Sequence, residues 1–274
     1  MNPVRWMQGT VNNLVASGAG LIALAPIYLV FVNALKTRGD ANGMTAALPV
    51  HPQWDNFSSV IDQGNLVTAF FNSVLYSVGS TVLAVLLAAL AAYVLARHRS
   101  RRHEVIYLLL IAGIAVPTNF VTLTKIMQVT HLIDTQLGII LLYAATQIPF
   151  NVFLIYAFID TVPRELDEAA IIDGSSPIGT FGRIILPMLT PVLVTCGVLN
   201  ILNVWNEFLM PLYFLGSTAN WPMTLSVYNF FGQYESNWAL VSADVVLTIL
   251  PVFLIYLVAQ RWILSGLTSG AVKG

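Results

Sequence analysis

Six stretches of this chain are apolar for the length a helix needs to cross a lipid bilayer. They fall at 14–35, 67–96, 105–124, 137–159, 191–215 and 239–260. At about 1.5 Å of rise per residue, roughly 20 residues cover about 30 Å of hydrocarbon. No water is available there to satisfy backbone N–H and C=O groups, so a spanning segment has to be a helix or part of a closed barrel. Runs this long and this uniformly apolar specify helices. Composition points the same way, with 57% hydrophobic and 9% charged residues. A soluble domain carries about a quarter charged residues, and disorder needs low hydrophobicity. The expected fold is an all-α polytopic membrane protein with six transmembrane helices, forming a single membrane domain over 1–274.

Charge orients the chain. Lysine and arginine collect in cytoplasmic loops. With the N-terminus inside, the inner set is Arg5, Arg97, Arg99, Arg101, Arg102, Arg164, Arg183, Arg261 and Lys273, and the outer set is Lys36, Arg38 and Lys125. Both termini are then cytoplasmic. The cluster Arg97-His98-Arg99-Ser100-Arg101-Arg102 pins the second loop inside. The first span follows Arg5, but it is too long for a secretory signal and contains Pro26, so it reads as an uncleaved anchor. Net charge is −1, which argues against a nucleic-acid partner, since that needs a basic stripe. The single cysteine, Cys196, excludes an internal disulfide and fits a buried small hydrophobe. Pro26, Pro117, Pro149, Pro211 and Pro251 lie within spans and can kink them. The outer loops 37–66 and 216–238 carry Trp54, Phe57, Trp221, Tyr228, Phe230, Phe231, Tyr234 and Trp238. These aromatics read either as interfacial anchors or as a docking surface for an outside partner.

The most informative stretch is the cytoplasmic loop 160–190. In a chain with few charges it gathers Asp160, Glu165, Asp167, Glu168 and Asp173. It parses as two short helices. Thr161 is placed to cap the first, with Pro163 in its first turn and Gly174 as its stop, and Ser176-Pro177 restarts a helix that Pro187 ends or bends. Glu165, Glu168, Ala169 and Ile172 share one face by their spacing. Small, acidic and apolar residues together suit insertion into a groove on a partner. The other reading is a loop lying on the membrane surface, although interfacial helices favour lysine and arginine.

Glu168-Ala169-Ala170, then three residues to Gly174, then nine to Ile184-x-Leu186-Pro187, resembles the signature of ABC importer permeases. The smaller of two paired permeases in maltose-like carbohydrate importers is similar through 132–143, 162–170, Trp205-Asn-Glu-Phe-Leu209 and the tail 266–274. Likeness runs from about Thr68 to the end, with a departure at Val116-Pro117-Thr118-Asn119. The resemblance implies the type I ABC importer transmembrane fold, with spans 2–6 (68–261) as the permease core. It implies residence in a bacterial cytoplasmic (inner) membrane and a sugar or related solute as cargo. It further implies a second permease subunit, two ATPase subunits that hold ATP and Mg, and an extracytoplasmic solute-binding protein. The loop would then be the ATPase-coupling segment, through Arg164, Asp167, Glu168, Ala169, Ala170, Gly174, Ile184, Leu186 and Pro187.

The chain itself carries no motor. None of Lys36, Lys125 or Lys273 follows a glycine, so no phosphate-cradling Gly-Lys-Ser/Thr loop exists. No nucleophilic or zinc pattern appears, and no catalytic residue, metal site or bound cofactor is expected. Asn200, Asn203 and Glu207 are spaced as one polar stripe in the fifth span, with Trp205 and Asn206 beside them. They read either as interhelical hydrogen bonds or as the lining of a wet sugar path. Glu207 and Asp244 also leave open an ion-coupled secondary transporter, although the inverted repeats of that class are not visible.

Overall fold

A computed structural model describes residues 3–98, 100–232 and 236–271. Arg99, Tyr234 and Lys273, named above among the topology charges and outer aromatics, lie outside the described residues, as does the end of the tail. Among the described residues the regular structure is helical. The principal helices are α1 (Pro3–Ala34), α2 (Leu66–Arg97), α3 (Arg101–Ala115), α4 (Phe120–Val129), α5 (Gln136–Ile159), α6 (Glu165–Ile172), α7 (Thr190–Asn206), α8 (Leu209–Phe214) and α9 (Trp238–Ala271). Four of them are long and apolar enough to cross a membrane, and the number rises to six if each of two bent helix pairs is one span.

The bends correct two of the six expected spans. The stretch expected at 105–124 is not one rod: α3 and α4 meet at 113°. Pro117 forces the preceding residue out of the helical region, and Val116 has ψ 117. Asn119 then restarts the chain, its side chain accepting from the Thr122 amide at 3.0 Å. The stretch expected at 191–215 is also broken. α7 follows Pro177–Met188 at a 76° bend and ends at Asn206, before α8 begins at Leu209. The second span is one continuous 32-residue helix, and α5 starts where Thr135 accepts from the Gly138 amide at 3.0 Å.

The chain divides into two compact units. One comprises Met1–Val67 and Ser226–Pro251. Here Lys36, one of the three loop charges of the outer set, is buried. Its Nζ donates to Thr45 O at 2.6 Å, Thr45 Oγ1 at 2.9 Å and Asn33 Oδ1 at 2.9 Å, which compensates the charge and staples the loop that follows α1. Asn56 adds bonds to Ala34 O and Lys36 O at 2.8 and 2.9 Å. Asp244, also buried, accepts from Ser226 Oγ at 2.8 Å. Of the aromatics in the loops 37–66 and 216–238, Trp54 is exposed and Phe230 is buried. A Cβ at Gly64 would stand 2.7 Å from the Val60 carbonyl oxygen and 3.0 Å from the Phe230 ring, so that position needs glycine.

The other unit comprises Thr68–Leu225 and Val252–Gly274. Its inner core is built on a small-residue face of α2. Ala88, Ala89, Ala92 and Ala96 are fully buried there, against Val152, Ile155 and Ile159 of α5 and Ile185, Leu189 and Cys196. Alanines at these spacings let helices approach closely, and close packing is what holds helices together when lipid supplies no hydrophobic drive. Tyr107 of α3 stacks on Tyr156 of α5 with centroids 4.0 Å apart. A second core gathers Tyr76, Ile139, Leu142, Tyr143, Val204 and Phe214.

The connection after α8 is tied down through Asp134. Its carboxylate accepts from the Ser217 amide at 2.9 Å and its carbonyl from Asn220 Nδ2 at 2.9 Å. Asn72 donates to the Ala219 and Trp221 carbonyls at 2.8 and 3.1 Å. Asp134→Ala is expected to cost about 1–2 kcal/mol locally and to speed proteolytic nicking between 215 and 222. An unchanged nicking rate would show that the Asp134 carboxylate is not what holds the connection.

Candidate functional site: a protruding helical turn and a broken fifth span

The loop 160–190 folds into the two expected short helical segments, but the first is started differently from the expectation. Thr161 does not cap α6, because its hydroxyl donates back to Phe158 O at 2.7 Å. Residue Arg164 precedes the helix without a side-chain cap. The acids Glu165, Asp167 and Glu168 crowd the first turn instead, where the helix dipole favours negative charge. The end is as expected. Gly174 has φ +78, its N–H donates to Ile171 O at 3.0 Å, and the Ser175 N–H reaches back to Ala170 O at 2.9 Å. This left-handed glycine stop satisfies terminal carbonyls. Ser176 then caps Pro177–Thr180, accepting from the Gly179 amide at 3.2 Å.

α6 has two different sides. Glu165, Glu168, Ala169 and Ile172 are exposed, as their spacing implies. Ile172 and Ile178 are 85% and 81% exposed, and Ile171 is also open. The second alanine departs from expectation. Ala170 is buried, so the close approach it permits is internal. Asp167 turns inward and pairs with Arg97 at 2.9 Å, and Arg164, itself exposed, donates back to Ala96 O at 3.2 Å. Downstream, Ile184 and Leu186 pack on the α2–α5 core while Pro187 stays exposed. The arrangement presents an acidic and apolar outer surface on a firmly packed inner one.

The polar residues of the fifth span do not form one stripe. Asn200 and Trp205 are buried, whereas Asn203 and Asn206 are exposed. Trp205 meets Phe70 edge-on at 5.9 Å, and Asn206 Nδ2 donates to Leu202 O at 2.7 Å. Glu207 is outside the helix altogether, with ψ 133. Its carboxylate accepts from the Leu209 amide at 3.0 Å and the Met210 amide at 2.9 Å, starting α8. The Tyr143 hydroxyl donates to it at 3.2 Å, and Thr224 Oγ1 donates to its carbonyl at 3.0 Å. Helical spacing alone could not have located this break, because Asn-Glu-Phe-Leu contains neither glycine nor proline. Asn203, Asn206, Glu207 and Phe208 line a shallow concavity of about 640 Å³. The same acids that left ion coupling open, Glu207 and Asp244, therefore both have structural partners.

Residues 80–268 match the family described as "Binding-protein-dependent transport system inner membrane component". The chain is 31% identical over 255 residues to the probable starch degradation products transport system permease protein of Thermoanaerobacterium thermosulfurigenes, covering 92% of this chain and 93% of that one. It is 30% identical over 277 residues to the melibiose/raffinose/stachyose import permease protein of Bacillus subtilis, covering 100% of both. Its fold is similar to a chain in the crystal structure of a bacterial ABC transporter involved in the import of the acidic polysaccharide alginate. The TM-score is 0.83 at 21% identity, covering 95% of this chain and 98% of that one. With the family match over most of its length and relatives of this identity, the chain belongs to the inner membrane components of binding-protein-dependent transport systems, the permease subunits of ABC importers.

Proposed function

We propose that this permease moves a sugar or related solute inward across a bacterial inner membrane as one of two paired, non-identical membrane subunits. Two ATPase subunits holding ATP and Mg supply the energy, and an extracytoplasmic solute-binding protein delivers the cargo. In this reading α3 and α4 make one span and α7 another, which gives six with both termini cytoplasmic. The relatives' names, for starch degradation products and for melibiose, raffinose and stachyose, support a sugar as the cargo. Closure of the ATPase pair would drive alternating access as a rigid-body displacement.

The observation that carries this reading is the two-sided α6. Glu165, Glu168 and Ile172 stand outward on a helix whose opposite side is packed. An exposed Ile172 has no reason to face water, and acids beside it suit a groove with basic residues. Asn203, Asn206 and Glu207 are proposed to wet the solute path, with the buried Asn200 and Trp205 supporting it from behind.

Glu168→Lys tests the docking role. Reversing the charge of an interfacial acid costs about 2 kcal/mol or more, so the ATPase retained on the affinity-purified permease should fall more than tenfold by that principle. Membrane insertion should be unchanged. Normal ATPase capture and normal uptake by this variant would refute the role of α6.

A further inference from the structure

We infer that Asp167 is a positioning residue through which the coupling segment moves the second membrane helix, clamped there by Tyr93 and Arg97. The inference rests on the importer reading above and assigns Asp167 to transmission, not to ATPase contact.

Tyr93 and Arg97 are four residues apart on α2, so they project from one face. The Tyr93 hydroxyl donates to Asp167 Oδ1 at 2.6 Å, and Arg97 meets Oδ2 at 2.9 Å. Both carboxylate oxygens are thus held by the same helix end. The Arg97 and Asp167 side chains are only 11% and 15% exposed, so salt screens the pair weakly. Two further bonds cross between the same elements in opposite directions. Arg97 donates to Val162 O at 3.2 Å, and Arg164 donates to Ala96 O at 3.2 Å. Ala96 O is one of the final carbonyls of α2, which have no partner within the helix. The Tyr93 ring also lies 5.3 Å from Phe181, reaching the second short segment.

The clamp matters because α6 is only eight residues long. A helix that short has little stability of its own and takes its shape from what it packs on. The covalent chain joins it to α5 through residues 160–164, not to α2. Force applied to its exposed face therefore reaches α2 through side chains, and within α6 Asp167 is where Tyr93 and Arg97 of α2 converge. The small-residue face of α2, with Ala92 and Ala96 buried just above, leaves no slack for the helix end to absorb the push.

Asp167→Ala and the charge-keeping Asp167→Glu test this in two arms. In the purified full chain, amide exchange over 163–172 should speed up about tenfold in Asp167→Ala and stay near wild type in Asp167→Glu. In the importer assembled with its ATPase and binding protein, Asp167→Ala should retain the ATPase but move about fivefold less solute per ATP hydrolysed. Asp167→Glu should recover most of that ratio. Unchanged exchange in Asp167→Ala overturns the clamp. Faster exchange with a normal solute-to-ATP ratio overturns the transmission role. Loss of ATPase capture in Asp167→Ala makes Asp167 a docking residue and overturns the assignment. A wild-type chain that captures no ATPase overturns the importer reading and the transmission role with it, and leaves the exchange result to judge the clamp separately.

Discussion

Gly174→Pro is expected to abolish uptake by the assembled importer while the chain still inserts normally. Gly174 closes α6 at φ +78. Proline is locked near −65° and lacks the N–H that donates to Ile171 O at 3.0 Å. The substitution therefore removes both the turn and a bond that finishes the helix, a loss of about 3 kcal/mol or more. That is large against a short helix that must keep Glu168 and Ile172 aimed at a partner. A graded series separates conformation from crowding. A Cβ at Gly174 would meet nothing within 4 Å, so space is not limiting. Gly174→Asn should be nearly normal, because asparagine tolerates the left-handed region. Gly174→Ala should lose about 1–2 kcal/mol and show intermediate uptake. Equal defects in all three variants would mean that a side chain at this position blocks a partner, and would reject the conformational explanation. The readouts are solute uptake into proteoliposomes and the ATPase retained on the purified permease.

Glu207→Leu carries the second largest expected effect. The substitution takes the acceptor from two backbone amides at the start of α8 and from the Tyr143 hydroxyl. Tyr143 is buried, and a buried donor left without a partner costs about 1–3 kcal/mol. The break between α7 and α8 should lose its geometry. Thermal unfolding in detergent should shift downward and uptake should drop about tenfold. Glu207→Gln keeps an amide oxygen as acceptor and should retain most of both. Asn203→Ala is the contrasting variant. Asn203 is exposed, so its loss should leave thermal stability alone. A change in the KM for uptake would then place Asn203 on the solute path. If Glu207→Leu unfolds at the wild-type temperature, the carboxylate is not what holds the break.

The outward and inward sides of α6 show how far spacing can be read. Three- and four-residue intervals correctly grouped Glu165, Glu168, Ala169 and Ile172 on one exposed face, because helix geometry fixes which residues share a side. They did not say what Asp167, Arg164 and Ala170 face. The Asp167 and Arg164 side chains bond to α2, more than sixty residues earlier in the chain, and no local pattern encodes a partner that distant. The glycine stop at Gly174 and the serine cap at Ser176 were readable because each is a local hydrogen-bonding solution to a helix end. Thr161 was misassigned for the same kind of reason. A threonine has two nearby backbone options, and here it bonds backward to Phe158 and not forward.

The order and approximate limits of the apolar segments, the exposed acids Glu165 and Glu168 of the loop 160–190 and its two short helical segments were determined by sequence alone. They follow from hydrophobicity, helical period and capping chemistry, which act over a few residues. Tertiary structure decided the 113° turn at Val116–Asn119, the end of α7 at Asn206, the burial of Lys36 and the fastening of Asp167 to Tyr93 and Arg97. A proline permits a bend without setting its angle. A charge enters the interior only where distant groups converge to compensate it, and that convergence exists only once the chain has folded.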